Sequence, residues 1–332
     1  MENISAINKK KIKVMRFVLI AGIALLILKF TAYFFTHSNA ILTDALESIV
    51  NVLAGSFALY SIHYASRPKD ENHPYGHGKI EFLSSGVEGG MILLAGIGML
   101  FKGGIAFFHK DVIEHADIGA YISGFAGLVN YFLGSYIIKI GKQNHSSVMV
   151  ADGKHLISDT ISSIGLVAGL LIIYFTKLNW VDYVITIAFG AYIVFIGFKL
   201  IRESITNLLD EADYGKLQHL IDLLNKNRRI KWIDIHNLRI LKYGSHLHID
   251  CHITLPWYDS LEDSHHEIDL VEKLVKENLD QEIEFFIHAD PCLPTSCSIC
   301  PISDCNHRKN DFIRKLDWSL NNVLPDKKHE LS

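Results

Sequence analysis

The chain has 332 residues, 49% of them hydrophobic and 20% charged, with a formal net charge of −4 and a mean hydropathy of +0.20. Residues 1–210 hold 17 Lys/Arg against 15 Asp/Glu, and residues 211–332 hold 15 against 21, so an apolar, weakly basic half precedes a polar, acidic one. That division excludes a single soluble domain, a disordered chain and a small disulfide-stapled fold, and the acidic half argues against nucleic acid as a partner.

A basic arm, residues 1–13, opens the chain with Lys9, Lys10, Lys11 and Lys13. Six apolar runs follow, Val14–Phe35, Ile41–Ala65, Phe82–Phe108, Ile118–Gly141, Val148–Phe175 and Val181–Ile201. Each supplies the ~20 residues that carry a helix across a bilayer. The first run is too long for a cleavable signal peptide and has no small-residue cleavage site. Lys and Arg gather in the arm, after the second run (Arg67, Lys69, Lys79) and after the fourth (Lys139, Lys142). Positive residues stay in the cytoplasm, so both termini are expected there, with six crossings between them in a transmembrane domain, residues 14–209.

Beyond Asp210 the pattern changes. Leu217, Leu220, Ile221 and Leu224 repeat at helical spacing, and strand-like stretches Trp232–Leu241 and His246–Leu255 flank Tyr243-Gly244-Ser245. An amphipathic helix over Leu261–Asn278 and a short strand at Ile283–His288 complete an αββαβ order, an α+β sandwich over residues 210–291. A Cys-rich tail, 292–332, reads as irregular, with prolines among the cysteines.

Ionisable side chains within the apolar runs cost several kcal/mol each and need a reason. The second run carries Asp44 and Glu47, with Asn51 one turn on; the fifth carries Asp152, His155 and Asp159. Glu47 and Asn51 are i, i+4, as are His155 and Asp159, so each pair shares a helix face. Turned together, the faces offer three oxygen-bearing groups and one imidazole, a four-ligand site for Zn, Fe, Co, Ni or Mn rather than Ca or Mg. The competing reading is inert helix-packing hydrogen bonds, which Asn51 with Ser48, Ser158, Ser162 and Ser163 would provide. Lys29 reads as a snorkelling side chain, and Glu88 as a carboxylate facing water one turn inside the membrane.

In the tail, Cys292, Cys297, Cys300, Cys305 and His307 follow the pattern C-x4-C-x2-C-x4-C-x-H. A cytosolic location disfavours disulfides. Thiolates at this spacing can close a zinc site or hold an iron–sulfur centre, with redox or packing roles as the alternatives. Cys251 alternates within a strand and reads as buried packing.

Six crossings, the segment His37-Ser-Asn-Ala-Ile-Leu-Thr-Asp-Ala-Leu-Glu47 and the segment His155-Leu-Ile-Ser-Asp159 resemble the cation diffusion facilitator family. The loop Asp70-Glu-Asn-His73-Pro-Tyr-Gly-His77-Gly-Lys-Ile-Glu81 is similar to its bacterial ferrous-iron/zinc efflux branch. The resemblance runs from about residue 14 to 291. It implies a homodimeric membrane antiporter, not an enzyme, that moves a divalent metal (Zn, Fe(II), Mn, Co or Cd) out of the cytosol against protons. It also implies a ferredoxin-like cytosolic domain.

Carried over residue by residue, the resemblance makes Glu47, Asn51, His155 and Asp159 the transport ligands. The family commonly has Asp or His at the first position and Asp at the second, so Asn51 removes one charge, for which Asp44 can compensate. The resemblance makes Asp70, His73 and His77 a loop metal site; capping of the third helix is the alternative. It makes His236, His252, His265, His288 and Asp290 a binuclear zinc cluster at the dimer interface. The rival function is a non-transporting membrane metal sensor or scaffold. An intramembrane metalloprotease would need an HExxH motif, which the sequence lacks, and a channel would not need such tight ligands.

Overall fold

The computed structural model describes residues 2–36, 39–108, 116–176, 180–279 and 281–331. It divides into two units, Met1–Leu209 and Asp210–Ser332. The first unit is helical: α1 (Glu2–Thr36), α2 (Asn39–Ala65), α3 (Ile80–Phe108), α4 (Ala116–Gln143), α5 (Ser147–Thr176) and α6 (Trp180–Leu208). The shortest has 27 residues, about 40 Å at 1.5 Å per residue, against a hydrocarbon core of ~30 Å. Among the described residues two stretches, Ile7–Phe35 and Ile80–Ile105, are both long and apolar enough to cross a membrane. Large apolar side chains face outward along the bundle, among them Phe17, Phe34, Leu94, Phe101, Phe132 and Phe195. Such a surface suits hydrocarbon, not water.

Without a hydrophobic force between helices in lipid, close backbone approach has to hold them together. Glycines provide it between α3 and α6. A Cβ on Gly96 would lie 2.7 Å from the Val194 amide nitrogen, and one on Gly197 would lie 2.5 Å from that of Leu93. The N-terminal arm is not a separate segment. Helix α1 runs back through it, and Lys11 is buried at 1% exposure with its Nζ 3.4 Å from Glu81 Oε1. The Ser146 hydroxyl donates to the other Glu81 oxygen at 2.5 Å, which completes a buried polar tie among α1, α3 and the start of α5.

The second unit has the order α7 (Tyr214–Lys226), β1 (Asp234–Tyr243), β2 (His246–Leu255), α8 (Leu261–Asn278) and β3 (Glu282–Pro291). The sheet order is β1-β2-β3, with β1 antiparallel and β3 parallel to β2. On β2, Leu247, Ile249, Cys251, Ile253 and Leu255 alternate inward. They meet Leu217, Leu220, Ile221 and Leu224 of α7 and Val271 and Val275 of α8. Both helices therefore lie on one sheet face, and the even-numbered residues of β2, including His248 and His252, belong to the other. The β1–β2 turn needs Gly244 at φ +64°, which favours a residue without a Cβ.

The residues after Pro291 belong to the same body. After a 3₁₀ turn over Pro294–Ser298, the chain returns to the core, where Trp318 is 3% exposed and Val323, in the short helix α9 (Leu320–Val323), is fully buried. The Arg228 guanidinium stacks 3.9 Å over the Trp318 ring and donates to the Leu316 and Ile233 carbonyls. Asn225 exchanges two hydrogen bonds with the Trp318 backbone, at 2.7 and 3.1 Å. The spacing of apolar residues in 292–332 is too irregular to signal this docking, which rests on Trp318, Val323 and hydrogen bonds to backbone groups.

Asp213 caps α7. Its carboxylate accepts from the Lys216 amide at 3.1 Å and from the Lys242 ammonium at 2.7 Å. Partial burial opposes its charge, but these two donors outweigh it and hold the carboxyl below the usual range. A lowered native value contributes stability above the unfolded pKa of ~3.9 that is lost as pH falls through the native value. Replacing Asp213 by Ala should therefore lower protection of the first-turn amides of α7 by about 1 kcal/mol near neutral pH. Hydrogen exchange on the full-length protein would show that gap closing as the sample is acidified.

Candidate functional site

Three groups of chemistry-bearing side chains stand out, one inside the helical unit, one on its loop and one on the sheet. The first lies between α2 and α5. Asn51 Nδ2 donates to Asp159 Oδ2 at 2.6 Å, and Asn51 Oδ1 lies 2.9 Å from His155 Nε2. One amide thus ties together two residues a helical turn apart on the facing helix. The nearby Ser158 and Ser163 hydroxyls donate to their own helix, to the Lys154 and Asp159 carbonyls at 2.9 and 3.0 Å. They do not serve as the interhelical link. His37 and the side chains of Asp44 and Glu47, the remaining members of the expected α2 motif, lie outside the described residues.

Two further carboxylates flank this group. Asp152, one turn before His155, is 3% exposed, and Glu88 on α3 is fully buried. Neither Glu88 oxygen has a hydrogen-bond partner among the described residues. Lys29 does not snorkel: it is buried and donates to Ser48 Oγ at 2.8 Å. A hydroxyl within reach inside the bundle replaces the aqueous interface as partner for the ammonium.

The second group is the loop between α2 and α3. Asp70 accepts from the His73 amide at 2.7 Å and lies 3.0 Å from His73 Nδ1, while its other oxygen is 3.3 Å from His77 Nε2. The ligand atoms of all three lie within 4.8 Å of one another. The Tyr64 ring stands edge-on to His77, centroids 4.8 Å apart. Desolvation works against the Asp70 charge, but the His73 hydrogen bonds and the two imidazoles outweigh it and lower its pKa. Asp70 and His73 are exposed and His77 is buried. The loop is thus a one-sided donor set open to solvent.

The third group follows from strand register. His236 pairs with His252 across β1–β2, and His252 with His288 across β2–β3, so three imidazoles form a row across the sheet. Their ring centroids are 5.1 and 4.7 Å apart. Asp290, two residues beyond His288, shares its face and lies 3.3 Å from His236 Nε2 and 3.2 Å from His252 Nδ1. The ligand atoms of His236, His252 and Asp290 likewise lie within 4.8 Å of one another. Burial lowers the His236 pKa, against the pull of Asp234 and Asp290 and with the push of His252 and Lys328. His265, expected with this group, sits on α8 with its ring 72% exposed and 3.9 Å from Asp269.

Sequence reasoning missed three participants. Asp234 precedes His236 by two residues on the same strand, and its carboxylate accepts from the His329 backbone at 2.9 Å and meets His329 Nδ1 at 2.7 Å. Lys328 places its ammonium 3.3 Å from Asp290. The period-2 pattern of β1 could have flagged Asp234. Nothing local could flag Lys328 and His329, which lie 38 residues beyond Asp290 and 95 beyond Asp234, respectively. Cys292, Cys297, Cys300, Cys305 and His307 line one cavity beside the end of β3. Burial and the neighbouring cysteines raise the pKa of Cys292 and Cys300, and Cys251 is buried in the core as expected.

With these geometries in hand, similarity to known proteins is informative. Residues 14–209 match the cation efflux transmembrane domain and residues 215–292 match the cation efflux protein cytoplasmic domain. An uncharacterized transporter of Synechocystis is 28% identical over 259 residues, 78% of this chain and 84% of the relative. The cation-efflux pump FieF of Shewanella oneidensis is 27% identical over 271 residues, 81% and 90% of the two chains. The manganese efflux system protein MneP of Bacillus subtilis is 26% identical over 287 residues, 82% and 94%.

The hold on Asp234 is testable apart from any relative. The hydrogen bond to Asp234 raises the His329 pKa, with burial opposing it. A raised native value makes the contribution complete below the unfolded pKa of ~6.5 and lost as pH rises through the native value. Protection factors of amides beyond Trp318 should therefore fall on going from about pH 6 to about pH 9, by roughly a factor of 5. His329→Ala should flatten that dependence at the low, alkaline level. An unchanged profile in the variant would show that another contact anchors the chain end.

Proposed function

Because the chain belongs to the cation diffusion facilitator family of cation efflux proteins, a family of membrane transporters and not enzymes, we propose that it exports a divalent transition metal from the cytosol by metal/proton antiport. In this reading α1–α6 cross the cell membrane six times, both termini are cytoplasmic, and the cytoplasmic unit joins two copies into a homodimer. The cargo is Zn, Fe(II), Mn, Co or Cd. Its ligands are Glu47 and Asn51 from α2 and His155 and Asp159 from α5, with Asp44 as an auxiliary carboxylate.

The observation that supports this reading best is the Asn51 bridge to both His155 and Asp159 across the α2–α5 contact. Two ionisable groups and an amide converge where hydrocarbon makes each expensive, and a doubly charged cation is the ligand that suits them. Glu47 and Asp159 would supply two negative charges, equal to the charge of the ion, while Asn51 offers a neutral oxygen and His155 a nitrogen. That donor set fits borderline metals. Metal needs deprotonated ligands, so protons and metal compete for the same lone pairs. Imidazole titrates nearest neutral pH, which makes His155 the natural proton carrier. Alternating access then follows if α2 and α5 open the site first to the cytosol and then outward, with protons from the outer side displacing the metal. Asp70, His73 and His77 would gather cation at the cytosolic mouth. His236, His252, His288 and Asp290, with His265, would bind metal in the cytoplasmic unit and sense its level.

Reconstitution into vesicles under an imposed pH gradient tests this directly. Asp159→Ala should reduce metal-driven proton flux by about 100-fold or more, and retained flux would refute the ligand assignment. Asn51→Asp adds a charge without changing shape. It should alter the order of preference across a panel of divalent ions, and an unchanged order would show that the amide does not set selectivity. A vesicle that takes up no metal with any ion in the panel would favour the sensor or scaffold reading.

A further inference from the structure

We propose that the chain segment after β3 holds a cubane iron–sulfur cluster on the thiolates of Cys292, Cys297, Cys300 and Cys305. This centre is separate from the transport ligands and does not depend on the transport reading. The four side chains line one cavity of about 210 Å³. All four cysteines are free of disulfides.

The surrounding chain is built to keep that cavity in shape. Cys292 follows the last strand, and its amide donates to the Leu255 carbonyl at 2.9 Å. Cys297 lies in the 3₁₀ turn and Cys300 just beyond it. The Arg308 guanidinium then donates to the carbonyls of Cys297, Cys300 and Ile302 at 2.9, 3.1 and 2.6 Å. One planar cation therefore fixes the backbone on which two of the four sulfurs are carried.

A donor is also directed at one of the sulfurs: the Trp257 amide reaches Cys292 Sγ at 3.4 Å. Tyr258 and Ile302 stand in the same cavity wall as the other cysteines. Hydrogen bonds to sulfur stabilise thiolate over thiol and tune clusters of this kind. Four thiolates bring four negative charges, and Arg308 and Lys309 stand in the cavity wall to offset them.

Size decides the class of centre. A tetrahedral zinc sits ~2.3 Å from each sulfur, so four thiolates around it crowd to about 3.8 Å from one another and leave no cavity. Among the described residues, the groups of three or more donors within 4.8 Å of one another are Asp70/His73/His77 and His236/His252/Asp290, and the cysteines are not one of them. The space of about 210 Å³ that the cysteines share with apolar neighbours, open to solvent on one side, has room for more than one small ion. A cluster with one thiolate on each of four irons uses such a space and such a ligand count. His307 is a wall, with its ring centroid 4.9 Å from that of Trp257 and 4.8 Å from that of Tyr258.

The test is metal and sulfide analysis of full-length protein purified without oxygen. Iron and acid-labile sulfide are expected in equal amounts, about four of each per chain, together with a broad visible absorption band that bleaches on reduction. Labile sulfide separates a cluster from iron carried as cargo, which brings none. Cys297→Ser with Cys300→Ser should remove iron, sulfide and colour together, while Cys251→Ala and His307→Ala should keep all three. One zinc per chain without labile sulfide would overturn the proposal, as would wild-type protein with neither metal. Loss of the cluster in His307→Ala would overturn the all-cysteine ligation.

Discussion

A side-chain amide that satisfies a carboxylate and an imidazole at once is the constraint on which the helical unit turns. Asn51 does this from α2, donating to Asp159 and accepting at its carbonyl from the side of His155. In an apolar bundle each of those groups alone would cost several kcal/mol. Their mutual satisfaction explains why α2 and α5 can carry them. It also fixes the relative rotation of the two helices, because i, i+4 residues on α5 must present to one side chain on α2. The same logic recurs at Glu81, which takes both Lys11 and Ser146, and at Lys29 with Ser48. The polar residues of this unit are ties between helices, whereas the glycines at Gly96 and Gly197 set how closely the helices approach.

In the second unit the organising constraint is strand register. A one-residue slip of β2 would turn His252 into the core and expose Ile253 and Cys251. The apolar demand of α7 and α8 therefore aligns the histidines as a by-product of burying the other face. The register irregularity between His236 and Arg239, with Asn237 at φ +54°, falls beside the row. Such bulges commonly re-aim a side chain next to a functional group. Here it lets His236 keep its place opposite His252 while the rest of β1 continues in pairing with β2.

Much of this was legible in the sequence for physical reasons. The αββαβ order, both amphipathic helices and the shared helix face of His155 and Asp159 follow from periods of 3.6 and 2. What escaped was whatever depended on distant partners. Lys29 has the composition of a snorkelling residue, and only the position of Ser48 on a neighbouring helix shows why it stays inside. The N-terminal lysines look like a solvated arm until Lys11 meets Glu81, seventy residues on. The segment beyond Pro291 has no periodicity, and its order comes from Trp318, Arg228 and Arg308, each acting on backbone carbonyls or a ring. Hydrogen bonds to carbonyls carry no sequence signature, so a segment ordered by them reads as irregular.

The chain end joins the two chemistries of the second unit. Residues 292–305 wrap the cysteine cavity, and residues 328 and 329 then cross to the histidine row, where Lys328 meets Asp290 and His329 meets Asp234. Asp290 is thus shared among three imidazoles and an ammonium. Any divalent cation that took that carboxylate would have to contend with a positive charge 3.3 Å from it. The Coulomb cost falls steeply as Lys328 withdraws, since the repulsion scales inversely with distance and water screens it once the ammonium is exposed. If the histidine row binds a cation as proposed, the ammonium beside Asp290 links that binding to the anchoring of the chain end. Under that reading the link is reciprocal, since a cation on Asp290 and the Lys328 ammonium would compete for one carboxylate.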